Sequence, residues 1–177
     1  MTEQTYRWRR LDHPGLELMR ITAREDAVEA RSTIIDAGET PFALRCHWRL
    51  DGDWRSRLLR IEREDGHSLT IERREHGWRI DGEERPELAD CLEIDVSATP
   101  FCNGLALRGL KHQPSELTAL YVDAADLSVQ PSRQRYDFVG PQRWRYVDLG
   151  VADGFRALLD FDTDGLVMRY EGLFERV

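Results

Sequence analysis

The chain has 177 residues, and its 33 acidic side chains outnumber its 25 basic ones to give a formal net charge of −8. Hydrophobic residues make up 41% and charged residues 33%, a balance typical of a soluble globular protein and not of a disordered chain. The length predicts a single domain over residues 1–177. A negative net charge argues against nucleic acid as a partner, because nonspecific affinity for it comes mainly from neutralised phosphates.

The sequence shows no signal for membrane insertion or for secretion. The longest apolar run is Ala119–Val122, far below the roughly 20 residues that a transmembrane helix needs, so no transmembrane segment is expected. The first residues contain no apolar core of a signal peptide. Three cysteines, Cys46, Cys91 and Cys102, are too few for a disulfide framework. We therefore expect a cytoplasmic protein.

Alternation of apolar and polar residues predicts antiparallel strands along most of the chain. In the clearest run, 42–50, the residues on one face are apolar and include Trp48, whereas Arg45, His47 and Arg49 share the other face. Dipeptides that favour tight turns separate the runs, and they are Asp51-Gly52, Asp65-Gly66, His76-Gly77, Asp81-Gly82, Asp153-Gly154 and Asp164-Gly165. The spacing predicts a mainly β fold of about ten to twelve strands.

Helical signal is confined to one stretch, 99–110, where Pro100 follows a possible cap at Thr99. The expected fold is therefore a single curved antiparallel sheet, a half-barrel or open barrel, with one short helix. The apolar faces of its strands must be covered. They either line an apolar cavity suited to a hydrophobic ligand or close on themselves as a filled core, and the pattern leaves both possibilities open.

The segment Cys91–Leu110 carries a resemblance to a known family. It reads CLEIDVSATPFCNGLALRGL and resembles the bacterial family labelled putative glycolipid-binding at Cys91, Asp95, Thr99, Pro100, Phe101, Asn103, Leu105, Arg108 and Leu110. It departs from the family pattern at Ala106 and Gly109. Similarity elsewhere, from Trp8 to Phe174, extends it over nearly the whole chain. The resemblance implies a curved half-barrel similar to lipoprotein carriers, with a hydrophobic groove for an amphipathic lipid or glycolipid.

Polar side chains in and after this segment are the candidate contacts for the ligand. An amide such as Asn103 donates and accepts hydrogen bonds, and a guanidinium such as Arg108 grips a carboxylate, a phosphate or a sugar hydroxyl. The full set of candidate ligand-binding residues is Asn103, Arg108, Tyr121, Gln134, Tyr136 and Trp48. The alternative is structural: Asn103-Gly104 would form a turn, and Arg108 would pair with an acid such as Asp95.

Other functions have weaker support from the sequence. An enzyme acting on a hydrophobic substrate could use His47 as a base if an acid lay across the sheet. A ligandless interaction domain could pair through a sheet edge. The residues 160–171 match the spacing of a calcium-binding EF-hand loop, but the alternation around Asp164-Gly165 favours a β-hairpin. No cofactor and no metal are expected.

Overall fold

The computed structural model describes residues 2–177 and contains fifteen strands, one α-helix and one short 3₁₀ turn, Pro86–Leu88. The helix, α1, spans Phe101–Gly109. The strands are β1 (Thr2–Arg10), β2 (Gly15–Ala23), β3 (Ala27–Asp36), β4 (Phe42–Asp51), β5 (Ser56–Arg63), β6 (Ser68–Arg74), β7 (Gly77–Ile80), β8 (Glu83–Arg85), β9 (Cys91–Val96), β10 (Ser115–Val122), β11 (Val129–Gly140), β12 (Arg143–Asp148), β13 (Arg156–Phe161), β14 (Val167–Tyr170) and β15 (Phe174–Arg176).

All the strands belong to one open sheet, in the order β8-β7-β6-β5-β4-β3-β2-β1-β15-β14-β13-β12-β11-β10-β9. The first and last strands pair in the middle of this order, whereas β8 and β9 form the two edges. Every pair is antiparallel except β9 with β10, which is parallel. A parallel pair needs a long crossover connection, and here α1 lies within it.

The predicted sheet and single helix are confirmed, but the predicted number of strands is wrong. The chain has fifteen strands rather than ten to twelve. The prediction assumed ordinary strand lengths of about 5–6 residues, whereas β8 and β15 have only three residues each. The segment Glu83–Arg85 contains no apolar residue, so hydrophobic alternation could not reveal it.

Helix α1 fills the interior of the curved sheet. The Thr99 hydroxyl accepts a hydrogen bond from the Phe101 N–H at 3.2 Å, and residues 101–107 are all buried. The Phe101 ring meets Trp48 edge-on, with ring centres 5.7 Å apart. A side chain on Gly104 would put its Cβ 2.5 Å from the Gly165 carbonyl oxygen, so glycine allows this close packing. Asn103-Gly104 is therefore helical and not a turn.

Side chains connect the edge strand β9 to the other half of the sheet, at β5, β6 and β7. The buried Glu93 carboxylate on β9 accepts a hydrogen bond from the Ser56 N–H on β5 at 3.1 Å and lies 3.3 Å from the Arg73 guanidinium on β6. The Trp78 indole N–H donates to the Cys91 carbonyl at 3.1 Å. These contacts cover β9, which is one of the two edges through which the interaction-domain alternative could pair.

Within the described part of the chain, α1 is too short to cross a bilayer and no other helix of suitable length and hydrophobicity occurs.

Candidate functional site

Two cavities lie at opposite ends of α1. The larger, which we call the aromatic cleft, has a volume of about 640 Å³ and contains Arg108 from the C-terminal end of the helix. Its other lining residues are Gln4, Tyr6, Ala23, Trp54, Leu107, His112, Phe138, Gln142, Trp144 and Phe161–Gly165. The smaller, which we call the carboxyl pocket, has a volume of about 210 Å³ and contains Asn103 from the N-terminal end. Its polar lining includes Asp95, Thr99, Tyr121, Tyr146, Asp148 and Tyr170.

Aromatic side chains from four separate parts of the chain meet in the aromatic cleft. Tyr6 comes from β1, Trp54 from the loop between β4 and β5, and Phe161 from the end of β13. Phe138 and Trp144 face each other across β11 and β12, with ring centres 5.4 Å apart. Phe138 is 56% exposed, which is unusual for a large apolar residue with a buried aromatic neighbour. The cleft therefore offers ring surface to a ligand.

Arg108 provides the positive charge of the aromatic cleft. Its guanidinium carbon lies 4.1 Å from the centre of the Trp54 ring, within cation–π range. One terminal nitrogen donates to the Asp164 carbonyl, while the buried Nε has no partner among the described residues. Burial lowers the Arg108 pKa, and the nearby carboxylates of Asp162 and Asp164 oppose this effect. The guanidinium remains a cation, and its Nε–H is available to donate a hydrogen bond.

The backbone of the aromatic cleft is strained at several points. Residues 2–177 include six non-glycine residues with positive φ, and three of them, Trp54, His112 and Gln142, line this cavity. Their φ values are 63°, 56° and 58°. Such conformations cost of order 1–3 kcal/mol each and cluster at functional sites in proteins. Their concentration at this cavity supports its choice as the candidate site.

The hairpin between β13 and β14 supplies the acidic rim of the aromatic cleft. One Asp162 oxygen accepts hydrogen bonds from the backbone N–H groups of Asp164 and Leu166, both at 2.9 Å, and the other lies 2.5 Å from the Arg176 guanidinium. Asp160 binds Arg143 instead. The residues that match the spacing of an EF-hand loop thus form a β-hairpin, as the alternation predicted. Their carboxylates bind different side chains and do not converge on one point.

The carboxyl pocket is built from paired polar groups. The Gln134 side-chain amide donates to Asp95 at 2.5 Å, and the Tyr146 hydroxyl donates to Asp148 at 3.1 Å. Burial raises the pKa of Asp95 to about 6; the charge of Asp148 adds to this shift, and the hydrogen bond from Gln134 opposes it. The volume lies below the roughly 300 Å³ at which ligand pockets usually begin. A small polar group or a few water molecules would fill it.

The structure separates the residues that the sequence placed at one site. Asn103 donates a hydrogen bond to the Tyr136 hydroxyl at 3.0 Å, and both side chains are buried beside Gln134 at the carboxyl pocket end. Tyr121 is half-buried and lines that pocket. Arg108 lies in the aromatic cleft and does not pair with Asp95.

Trp48, the remaining candidate, is fully buried in the core against Phe101 and reaches neither cavity.

The main residues of the aromatic cleft escaped sequence reasoning. Trp54 lies beside the predicted turn at Asp51-Gly52, where the local pattern does not mark it as part of a site. Phe138 follows Tyr136 on the same face of β11 and carries no signal of its own exposure. No pattern in the sequence links Trp54 to Arg108, so the shared site became visible only in the structure.

The alternative catalytic histidine has the acid that the sequence required of it. His47 on β4 lies 2.5 Å from the Glu29 carboxylate on β3. Within residues 2–177, no hydroxyl or thiol forms a hydrogen bond with this imidazole. The three cysteine thiols are free and buried, and burial raises the pKa of Cys46 to about 12 and that of Cys91 to about 11. These thiols are therefore protonated and poor nucleophiles at neutral pH.

Comparison with known proteins shows the family to which the chain belongs. A family model described as "Putative glycolipid-binding" matches residues 5–176, and the chain belongs to this family. The crystal structure of a DUF1089 family protein from Pseudomonas aeruginosa is similar, with a TM-score of 0.75 and 31% sequence identity over 91% of this chain and 92% of that chain. The search of curated proteins found no match.

Proposed function

We propose that the protein binds an amphipathic glycolipid and holds its sugar headgroup in the aromatic cleft. The observation that carries this proposal is the meeting of aromatic rings, among them the exposed Phe138, with a partly unsatisfied arginine and an acidic hairpin in one cavity of about 640 Å³. Ligand pockets of this size are usually apolar with a few convergent polar groups. The family description supports the same class of ligand.

The two faces of a sugar ring explain why such a lining suits it. The C–H groups of the ring form an apolar face that can pack on Trp54 or Phe138, while hydroxyls around its edge need donors and acceptors. Arg108 supplies donors, and Asp164 on the hairpin supplies an exposed carboxylate. The apolar tail would leave along the exposed Phe138 ring, because the interior of the sheet is filled by α1.

The other candidate residues receive supporting roles in this proposal. Asn103 and Tyr136 hold the N-terminal half of α1 through their buried hydrogen bond, and Trp48 packs against Phe101. Gln134 orients Asp95, while Tyr121, whose hydroxyl is hydrogen-bonded to Ser97, lines the carboxyl pocket. Among the six candidates, Arg108 is the one assigned to the headgroup.

We also propose that the chain acts as one domain in the cytoplasm. One continuous sheet whose first and last strands pair supports a single folding unit. Three free, buried cysteines fit a reducing compartment.

A titration with detergents of matched tail length tests the proposal. Calorimetry would compare dodecyl maltoside with a dodecyl ether of ethylene glycol, both below their micellar concentrations. The maltoside is expected to bind about tenfold more tightly, and Phe138→Ala should weaken its binding. Phe155→Ala is the matched control, because this partly exposed phenylalanine lines the carboxyl pocket instead. Equal affinity for both detergents, or equal loss in both variants, would contradict a sugar site in the cleft.

A further inference from the structure

Four cationic or potentially cationic side chains form a continuous line across the outer face of the sheet. Arg20 on β2 is directly opposite Arg31 on β3, Arg31 is opposite His47 on β4, and His47 is opposite Arg60 on β5. We call this set the arginine row. Neighbouring strands are about 4.8 Å apart, so the row crosses roughly 14 Å of surface. Each member alternates along its strand with buried residues and points away from the core.

Such an arrangement opposes the usual rules of strand pairing. Like charges directly opposite each other destabilise a sheet. Glu29 relieves part of the charge through contacts with Arg31 and His47, at 2.8 and 2.5 Å. Arg20 and Arg60 form no ion pair with any residue in the range 2–177, and neither does the adjacent Arg45. The row therefore retains unneutralised positive charge in a protein of net charge −8.

In the other half of the same sheet, two exposed arginines each have an ion-pair partner. There Arg133 pairs with Glu116 at 3.0 Å, and Arg143 pairs with Asp160 at 2.5 Å. Arginine is common throughout this chain, so its mere presence means little. What distinguishes the row is its continuity across four strands and the absence of an ion-pair partner for Arg20 and Arg60 among residues 2–177. A surface hollow of about 330 Å³ lies over it, with one carboxylate, Glu62, in a lining that includes Arg20, Arg31, Arg45, His47 and Arg60. A hollow lined in this way favours a group with negative charge.

Exposed aliphatic side chains lie beside this charge on the same outer face. Leu16 and Ile35 are cross-strand partners on β2 and β3, and they are 48% and 56% exposed. They stand four residues along their strands from Arg20 and Arg31, about 13 Å away. Basic residues next to exposed aliphatic ones are typical of surfaces that bind anionic membranes, where phosphates meet arginines and aliphatic groups enter the interface.

We infer that the outer face of β2–β5 docks on a bilayer surface containing anionic phospholipid, with the arginine row on the lipid phosphates and Leu16 and Ile35 at the hydrocarbon boundary. Nucleic acid is less well matched, because the hollow has no Phe, Trp or Tyr on which a base could stack. This surface is separate from the aromatic cleft. Ala23, on the rim of the cleft, follows Arg20 by three residues, about 10 Å along β2, so docking would bring the cleft close to the membrane.

Vesicle co-sedimentation tests the inference without any glycolipid present. Vesicles of phosphatidylglycerol and phosphatidylcholine in equal parts should bind the protein, and pure phosphatidylcholine vesicles should not. The variant Arg20→Gln/Arg60→Gln should bind about 25-fold more weakly, at about fivefold for each arginine removed. Its unfolding midpoint should not fall, because the change removes repulsion. The control Arg133→Gln/Arg143→Gln has the same net charge and should bind as the wild type does.

Several results would overturn the inference. These are no sedimentation with phosphatidylglycerol, equal losses in the two double variants, and tighter binding to single-stranded RNA than to the vesicles. Calorimetric binding of inorganic phosphate without vesicle binding would also overturn it, since it would mark a site for a free anion. Trp54→Ala should still sediment with the vesicles, so failure of the glycolipid proposal and failure of membrane docking give different results.

Discussion

The guanidinium carbon of Arg108 lies 4.1 Å from the centre of the Trp54 ring, joining the end of the central helix to a hairpin loop on the far half of the sheet. Trp54 holds a positive φ of 63° in this contact. A cation–π contact of this kind is worth about 0.5–2 kcal/mol, depending on how far it is desolvated. Arg108 thus has two roles in our account: it orients the indole and supplies donors to the headgroup.

Replacement of Arg108 should therefore affect binding and the indole together. Arg108→Ala is expected to weaken dodecyl maltoside binding about tenfold, because one or two hydrogen bonds to sugar hydroxyls are lost. Trp54 fluorescence should also shift to longer wavelength as water reaches the ring. Arg133→Ala, at an exposed ion pair, is the control. Unchanged affinity in Arg108→Ala would remove this residue from the site.

Glu17 should make stability depend on pH. Its side chain is buried, accepts a hydrogen bond from Thr99 at 2.6 Å, and burial raises its pKa from 4.5 to about 7. Between these values the folded protein binds more protons than the unfolded chain, so the free energy of unfolding falls as pH rises, by about 3 kcal/mol in all.

Glu17→Gln removes the titrating group and should stabilise the protein at pH 8 relative to wild type much more than at pH 4. Urea denaturation at the two pH values measures this difference, and Glu83→Gln on the exposed β8 serves as the control. Wild type and Glu17→Gln curves that stay parallel with pH would show that Glu17 does not titrate in this range.

Gly104→Ala tests the packing of α1 against the hairpin. Alanine is favoured over glycine inside a helix by about 1 kcal/mol, yet its Cβ would lie 2.5 Å from the Gly165 carbonyl oxygen. Overpacking of this kind typically costs 1–3 kcal/mol, so we expect net destabilisation and weaker ligand binding as the hairpin shifts. Gly140→Ala, with no atom close to the added methyl group, should leave thermal stability unchanged or slightly higher. A more stable Gly104→Ala protein would contradict the close contact.

The contact between the edge strand β9 and β6 should contribute substantially to stability. Arg73→Ala leaves the buried Glu93 carboxylate without its cation, and breaking a buried pair in this way costs about 3–5 kcal/mol. Glu93→Gln in the same chain should recover part of the loss, because the uncompensated charge is gone. Chemical denaturation of the single and double variants measures this coupling. A loss below 1 kcal/mol for Arg73→Ala would show that this ion pair does not hold β9 against β6.

Local chemistry explains what the sequence predicted well. Asp81-Gly82 and Asp164-Gly165 both connect antiparallel strands, because glycine and a short polar residue tolerate the positive φ of tight turns. The order of residues likewise predicted the helix, although it begins at Phe101 with Pro100, and not Thr99, at the N-cap position. Alternation also identified the inner face of β4, since the side chains of a half-buried strand must repeat every second residue.

Long-range contacts explain what the sequence could not predict. Periodicity shows which face of a strand is buried, but not that α1 would cover it and leave a cavity at each end of the helix. Asn103 and Arg108 are five residues apart, which is about 7.5 Å along a helix and places them at different cavities. The contact between Arg108 and Trp54 joins residues 54 positions apart, and no spacing rule applies over such a distance.

Native mass spectrometry of the protein purified from its own host, followed by extraction of whatever is bound, tests the glycolipid proposal most directly. Wild-type protein and Phe155→Ala should carry one amphipathic molecule with a sugar headgroup, and Trp54→Ala should have lost most of it. A bound lipid without a sugar, or one that Trp54→Ala retains at the wild-type level, would contradict a headgroup site in the aromatic cleft.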